Sequence, residues 1–289
     1  MSPAVTLAVR SRRTAALALL LLSACLSMAL PVRAAPAPTS ATIDAQGDTF
    51  AGRHIETFTR VNPHASASIV FENGSRATID SWSKVIDALG SDVSIFAYNR
   101  PGVGRSEQAD SARDGATIVE ELRALLKQKG LKPPYILVGH SLGGLYMQLF
   151  ARRYPDEASG LVLVDALYPG VIRKPEDFPL LTRGAKRLFL SRNVSAEIDL
   201  AHQTGEQVLA LAPIDAKPIL QLINKPTGAT AIPVDFGVVD TDPQVAASVR
   251  NMYPAARRIV LDSDHQMQRA SPVQVAEAIR SVIAQGVPE

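Results

Sequence analysis

Short apolar runs alternate with segments of helical apolar spacing from about residue 54 onward. Within residues 82–89, for example, Trp82, Val85, Ile86 and Leu89 are three or four positions apart, the spacing of one helix face. The pattern predicts strands at 68–71, 93–98, 135–138 and 161–164, and helices at 81–89, 118–126 and 142–154. This alternation is typical of an α/β fold in which helices cover both faces of a mostly parallel sheet.

The alternation stops between residue 167 and about residue 230, where six prolines interrupt short amphipathic pieces. It resumes with an apolar run at 232–239, a helix from Pro243, a strand at 258–261 and a last helix from Pro272. We therefore expect one main domain over residues 53–289, with a short cap inserted at about 167–230.

The N-terminal 34 residues have the composition of a signal peptide. Arg10, Arg12 and Arg13 precede an apolar stretch at 15–30, and Val32-Arg33-Ala34 matches the small-residue cleavage pattern. A membrane anchor is the rival interpretation, but the apolar stretch is short for a span. We expect export to the periplasm or the medium, and a flexible lead-in over the Pro/Ala-rich residues 35–52.

Cleavage at residue 34 would change the charge and the cysteine content of the chain. It removes four of the 30 basic residues and none of the 28 acidic ones, so the net charge changes from +2 to −2. No basic surface remains that would indicate a nucleic-acid partner. Cys25, the single cysteine, ends a lipobox-like Leu-Ser-Ala-Cys sequence, and we expect a membrane association only if this cysteine is acylated.

Residues 139–143, Gly-His-Ser-Leu-Gly, place a serine where a predicted strand turns into a predicted helix. Glycines two positions before and after Ser141 allow a turn too tight for larger side chains. The hydroxyl would then be exposed above the carboxyl ends of the strands. The Leu142 backbone N–H, at the helix N-terminus, would be free to donate to an oxyanion.

With this motif, the chain resembles the α/β-hydrolase family over about residues 54–285. Residues 69–75 resemble the family's third strand and oxyanion loop, which implies that the Ser75 backbone N–H is the second oxyanion donor. Asn73 stands where relatives usually have a histidine. Residues 98–106 resemble the family's arginine-glycine turn, for which we expect a structural role alone.

A serine nucleophile needs a base, and the chain has five histidines. His140 adjoins Ser141 on the tight turn, His54 and His64 precede the core of the sheet, and His202 lies in the cap. His265 follows the predicted strand at 258–261, where the family carries its base. We therefore expect His265 to be the general base.

The acid that orients the base has three candidates. The resemblance favours Asp240, which ends a Gly-x-x-Asp sequence after the expected seventh strand. Asp242 is close to it but precedes Pro243, as a helix N-cap would. Asp165 ends the predicted strand at 161–164, a position from which some relatives draw the acid.

These residues predict an exported, carboxylesterase- or lipase-like serine hydrolase that acts on a small-molecule ester without cofactor or metal. The absence of aspartate at position 141 argues against the branches with a carboxylate nucleophile. An amidase, a peptidase, an acyltransferase and a non-catalytic ligand-binding protein of the same fold remain alternatives. Nothing in the sequence indicates an oligomeric state.

The predicted cap carries apolar and basic residues with two interpretations each. Its large apolar residues either line an acyl pocket or dock cap helices on the core: Phe178, Leu180, Leu181, Leu188 and Phe189. Its basic residues form a solvated face or favour an anionic substrate.

Overall fold

An eight-stranded sheet forms the centre of the molecule. The computed structural model describes residues 43–214, 216–225 and 243–286. The strands are β1 (Gln46–Phe50), β2 (Arg53–Arg60), β3 (Ser68–Glu72), β4 (Ser94–Tyr98), β5 (Tyr135–His140), β6 (Ala158–Val164), β7 (Ile219–Asn224) and β8 (Arg257–Leu261). They lie in the order β1-β2-β4-β3-β5-β6-β7-β8. Among the described strands, only the pairs β1–β2 and β2–β4 are antiparallel, which confirms the predicted mostly parallel sheet.

Helices cover both faces of this sheet, as predicted. The described α-helices are α1 (Ser83–Leu89), α2 (Gly115–Gln128), α3 (Leu142–Arg153), α4 (Leu180–Phe189), α5 (Arg192–Asp199), α6 (Ala201–Leu209), α7 (Pro243–Met252), α8 (Met267–Ala270) and α9 (Pro272–Gly286). Single 3₁₀ turns lie at Ile79–Trp82, Pro155–Glu157 and Pro175–Asp177. Helices α2 and α3 bury their apolar residues on one face with the cap, whereas α1 and α9 pack on the other.

Helix α2 shows how the local sequence specifies an element. Asp114 caps its N-terminus by accepting hydrogen bonds from the backbone N–H groups of Ala116 and Thr117. Its predicted apolar face, which includes Ile118 and Leu122, is buried against the core. Gly130, just past the end, adopts the positive φ of 71° that favours glycine there.

The cap ends earlier than the sequence pattern predicts. Helices α4, α5 and α6 do lie between β6 and β7, but residues 219–224 form a strand of the main sheet instead of part of the cap. Pro218 and Pro226 flank this strand, and the prolines made it resemble the interrupted cap sequence. The strand predicted at 232–239 lies outside the described residues.

The lead-in is also shorter than predicted. Residues 46–50, which we expected to be flexible, form β1 and pair antiparallel with β2 from Gln46 opposite Thr57 to Phe50 opposite Arg53. Threonine and phenylalanine at 49 and 50 suit a strand, and β2 supplies the hydrogen-bonding partner that the local sequence does not show.

The predicted signal peptide, including Cys25, lies outside the described residues. Within the described ranges, no helix is both long enough and apolar enough to cross a membrane.

Candidate active site

Ser141 lies between the end of β5 and the start of α3, as the motif predicts. Its φ of 51° and ψ of −123° are strained for a residue with a side chain, which costs about 1–3 kcal/mol where the surroundings enforce it. The Ser141 N–H donates to the Val164 carbonyl at 3.2 Å, and the Ser141 carbonyl accepts from Gly144 and Leu167. These bonds fix the turn from β5 into α3 against the end of the neighbouring strand β6.

The flanking glycines have the steric role that the motif implies. A Cβ at Gly139 would lie 2.6 Å from the Gly144 Cα. A Cβ at Gly143 would lie 2.5 Å from the carbonyl oxygen of Asn73. Both distances are far below van der Waals contact, so helix α3 approaches β5 and the loop after β3 as closely as it does only because these positions lack side chains.

The loop after β3 brings Ser75 to the same edge of the sheet. A Cβ at Gly74 would lie 3.2 Å from the Ser141 Cβ, so this loop passes directly beside the serine. Arg100 donates to the carbonyl oxygens of Asn73 at 2.6 Å and Gly74 at 3.2 Å. Because a trans peptide is planar, the Ser75 N–H points away from the Gly74 oxygen and therefore away from Arg100.

Asn73, the departure from the usual histidine, is fixed in the interior. Its side-chain amide donates to the Tyr98 carbonyl at 2.7 Å and accepts from the Trp82 indole N–H at 2.8 Å. Asparagine therefore supplies one donor and one acceptor that anchor the loop to β4 and to the 3₁₀ turn before α1. Leu142, the other expected donor, is the first residue of α3, where backbone N–H groups have no partner within the helix.

His265 and Asp165 form an ion-pair geometry at this edge. Nδ1 of His265 lies 2.7 Å from Oδ2 of Asp165, and the other carboxylate oxygen, Oδ1, accepts from the Asn224 backbone N–H at 3.2 Å. Asp165 directly follows Val164, whose carbonyl binds the Ser141 N–H. The ends of β5, β6 and β7 thus bring the serine, the carboxylate and its backbone donor together.

The preferred acid of the sequence analysis is not part of this contact. Asp240 and Asp242 lie outside the described residues, and the carboxylate that contacts His265 belongs to Asp165, the third candidate. Its position after a strand adjacent to β5 is the sequence signal that identifies it. Its φ of 40° is positive, a conformation that aspartate adopts more readily than most residues with a side chain.

His140 is distinguished from His265 by burial. Nε2 of His140 lies 2.7 Å from the backbone oxygen of His265, so it carries the proton and donates to that carbonyl. Burial, assisted by the charge of His265, lowers the pKa of His140 to about 3. His140 is therefore neutral near pH 7 and positions the backbone of His265.

Arg100 lies at the centre of a buried charge cluster that the sequence analysis missed. Besides the two loop carbonyls, it contacts Glu72 at 2.6 Å and Glu197 of the cap helix α5 at 3.0 Å, and all three side chains are buried. Burial opposes its charge, but Glu197 and Glu72 outweigh this and raise the pKa of Arg100. The turn at 98–106, for which we expect a structural role alone, therefore carries the residue that joins the cap to the loop after β3.

A small cavity of about 180 Å³ lies beside this site. It is lined by Arg76, Gly102, Val103, Gly104, Phe189, Leu190, Ser191 and Val194. Arg76 is the neighbour of Ser75, but neither Ser141 nor His265 lines the cavity. It therefore adjoins the oxyanion loop from the cap side and does not contain the serine.

Known proteins share this fold. A family model described as alpha/beta hydrolase fold matches residues 67–254, more than half of the chain. An uncharacterised protein of Bacillus subtilis (strain 168), YqjL, is 35% identical over 101 residues, which make up 35% of this chain and 40% of that protein. The matched stretches cover less than two thirds of the lengths of the first curated relatives.

Two solved structures give the same result at lower identity. Cfl2 from Burkholderia cenocepacia superimposes with a TM-score of 0.62 at 18% identity, over 85% of this chain and 97% of that chain. Haloalkane dehalogenase DbeA from Bradyrhizobium elkani USDA94 gives 0.64 at 16% identity, over 84% and 98%. At these identities the likeness concerns the fold alone.

We expect Gly74→Ala to impair the site while the fold persists. The added Cβ would lie 2.6 Å from Nδ1 of His140, whose ring cannot yield without releasing the His265 backbone. Displacement of an oxyanion donor costs about 10²- to 10³-fold in kcat, which esterase assays would measure. Gly184→Ala, at a position with open space, is the control, and equal activity of the two variants would contradict the prediction.

Glu197→Gln should destabilise the protein although the side chain keeps its shape. It leaves Arg100 buried with one carboxylate fewer, and removal of one partner of a buried pair costs about 3–5 kcal/mol. Urea unfolding followed by circular dichroism measures this loss. Arg192→Gln, which removes the exposed pair with Asp110, should leave the midpoint nearly unchanged, and a similar shift in both would refute a special role for the buried charge.

His140→Gln should flatten the acid side of the stability profile. The folded pKa of about 3 lies below the ordinary 6.5, so the unfolded chain binds the extra proton. The contribution of neutral His140 is complete above about pH 6.5 and declines by about 1.4 kcal/mol per unit as the pH falls towards 3. Glutamine keeps an Nε2 donor and does not titrate. Urea midpoints at pH 7, 6 and 5 test this, and parallel profiles would contradict it.

Proposed function

The chain belongs to the α/β-hydrolase family, and from that premise we propose that it is an exported serine hydrolase that cleaves a carboxylic ester through an acyl-enzyme on Ser141. The observation that carries the proposal is the hydrogen bond between His265 and Asp165, formed beside the strained turn of Ser141. A base oriented by a carboxylate next to a serine that is only half-buried is the arrangement that acyl transfer requires.

In the proposed first step, the Ser141 oxygen attacks the ester carbonyl carbon while Nε2 of His265 accepts the hydroxyl proton. The imidazolium that forms is stabilised by Asp165 through the Nδ1 hydrogen bond. The negative charge on the carbonyl oxygen is held by the backbone N–H groups of Ser75 and Leu142. Collapse of the intermediate expels the alcohol, which takes the proton from His265.

In the second step, water replaces the alcohol. His265 removes a proton from water as the oxygen attacks the acyl carbon, and then returns a proton to the Ser141 oxygen as the acid leaves. His140 supports both steps without exchanging protons itself, since its burial keeps it neutral. We propose no cofactor or metal for this chemistry.

A labelling experiment tests the nucleophile. The wild-type protein should react with a fluorescent fluorophosphonate and hydrolyse nitrophenyl esters, whereas Ser141→Ala should do neither. A series of acyl lengths then defines the preferred substrate. A wild-type protein that neither labels nor hydrolyses any ester would favour the ligand-binding alternative.

The orienting acid can be identified by comparing two matched variants. We expect Asp165→Asn to reduce kcat on the order of 10³- to 10⁴-fold, because an amide at this position favours the wrong histidine tautomer. Asp240→Asn, at the position that the sequence analysis preferred, should have a much smaller effect. The reverse ranking of the two kcat values would assign the role to Asp240.

Export rests on residues 1–34 alone. Their charged start, apolar stretch and small-residue end support secretion or release into the periplasm. Mass spectrometry of the protein recovered outside the cytoplasm would give a new N-terminus near Ala35, or an acylated Cys25 if the lipobox-like sequence is processed.

A further inference from the structure

The cap helix α4 exposes its apolar side and buries its polar side. Leu180, Leu181, Leu188 and Phe189 are 80%, 73%, 78% and 75% exposed. Thr182 and Lys186, across the helix from Leu180, are 1% and 5% exposed. An ordinary helix on a globular core has the reverse polarity. Neither interpretation offered by the sequence, an acyl pocket or docking on the core, fits the three leucines, whereas Phe189 also lines the small cavity beside the site.

The exposed leucines form one continuous stripe. At about 100° of rotation per residue, the side chains of Leu180, Leu181 and Leu188 lie within an arc of about 100° around the helix. Gly184, which is exposed, lies between them and adds no side chain that would interrupt the stripe. Contiguous exposed apolar surface of this kind marks an interaction site.

An ion pair between the buried Lys186 and the partly exposed Asp199 fixes the helix in this orientation. Nζ of Lys186 contacts the Asp199 carboxylate on α5 and lies 4.9 Å from the centre of the Phe178 ring. Rotation of α4 to bury its leucines would pull Lys186 away from both groups. The outward direction of the stripe is therefore held by contacts within the cap.

The charges around the stripe are mainly positive. Arg183 and Arg187 are exposed on the side next to the stripe, and residues 173–189 contain five basic and two acidic residues. Arg183 donates to the backbone oxygens of Phe178 at 2.8 Å and Glu176 at 2.9 Å, contacts that leave its charge unneutralised. The two acids, Glu176 and Asp177, are exposed in the 3₁₀ turn before the helix.

We propose that α4 is an interfacial helix that seats the cap on a lipid surface with anionic headgroups. The leucines and Phe189 enter the boundary of the acyl region, and Arg183 and Arg187 meet the headgroups. A surface of this kind binds helices that present basic residues beside an outward apolar stripe. This association differs from acylation of Cys25 and does not depend on hydrolysis.

Vesicle sedimentation of the full chain tests the proposal, with Ser141→Ala in every sample so that no lipid is hydrolysed. The vesicles are phosphatidylcholine alone or an equal mixture with phosphatidylglycerol. Leu181→Ser combined with Leu188→Ser should weaken binding to the mixed vesicles on the order of a hundredfold, about tenfold per leucine. Val273→Ser, an exposed apolar position of α9 on the other face of the sheet, should leave binding unchanged.

The charge component has its own pair of variants. Arg183→Gln combined with Arg187→Gln should weaken binding to the phosphatidylglycerol vesicles by about tenfold or more and leave binding to phosphatidylcholine nearly unchanged. High salt should remove the difference between this variant and the parent protein.

Three results would overturn the proposal. If the double leucine variant binds vesicles as its parent does, the lipid contact lies elsewhere, for example in residues 1–34. If its sedimentation velocity shows lost self-association instead, the stripe is an interface between copies of the chain. If the same leucine changes, with Ser141 intact, abolish hydrolysis of a soluble short-chain ester, the stripe serves the substrate. Loss of the proposed hydrolase activity alone would leave the vesicle results unaffected.

Discussion

The buried guanidinium of Arg100 connects parts of the molecule that are far apart in sequence. It contacts Glu72 at the end of β3, the carbonyls of Asn73 and Gly74 in the following loop, and Glu197 in the cap. A charge in the interior is tolerated only when its donors are satisfied, and these partners satisfy it. The need of the buried guanidinium for hydrogen-bond acceptors therefore fixes both the loop beside Ser141 and the position of the cap.

The strained turn and the charge cluster support each other. The positive φ of Ser141 is maintained by backbone bonds to Val164, Gly144 and Leu167, and the loop that carries Ser75 is held from the other side by Arg100. The donor groups of the proposed oxyanion site are thus oriented before any substrate arrives. Preorganised donors of this kind need no rearrangement when charge develops, which is why rigid surroundings favour the chemistry.

The sequence identifies the features of this site that depend on local geometry. Gly139 and Gly143 indicate the tight turn, because the turn leaves no room for a side chain at positions that are close to Ser141 in the sequence. The acid is a different case, since Asp165 and Asp240 both follow apolar runs and the sequence does not show which of them the fold brings to His265. The sequence pattern indicates only interrupted amphipathic pieces in the cap and does not predict α4, and the direction of the apolar face of this helix depends on the pairing of Lys186 with Asp199. The periodicity of apolar residues does not predict which side chains pair when they are distant in sequence.

The link between Arg100 and Glu197 also limits how this cap can be exchanged. Insertions at the edge of a sheet are usually regarded as modules that evolution or a protein engineer replaces without altering the scaffold. Here the insertion contributes a carboxylate to the interior of the scaffold, so a replacement without an acid at the corresponding place would leave Arg100 with an incomplete set of partners. The cap and the arginine turn after β4 must therefore be exchanged together. Recombination that separates the two would yield poorly folding chimeras.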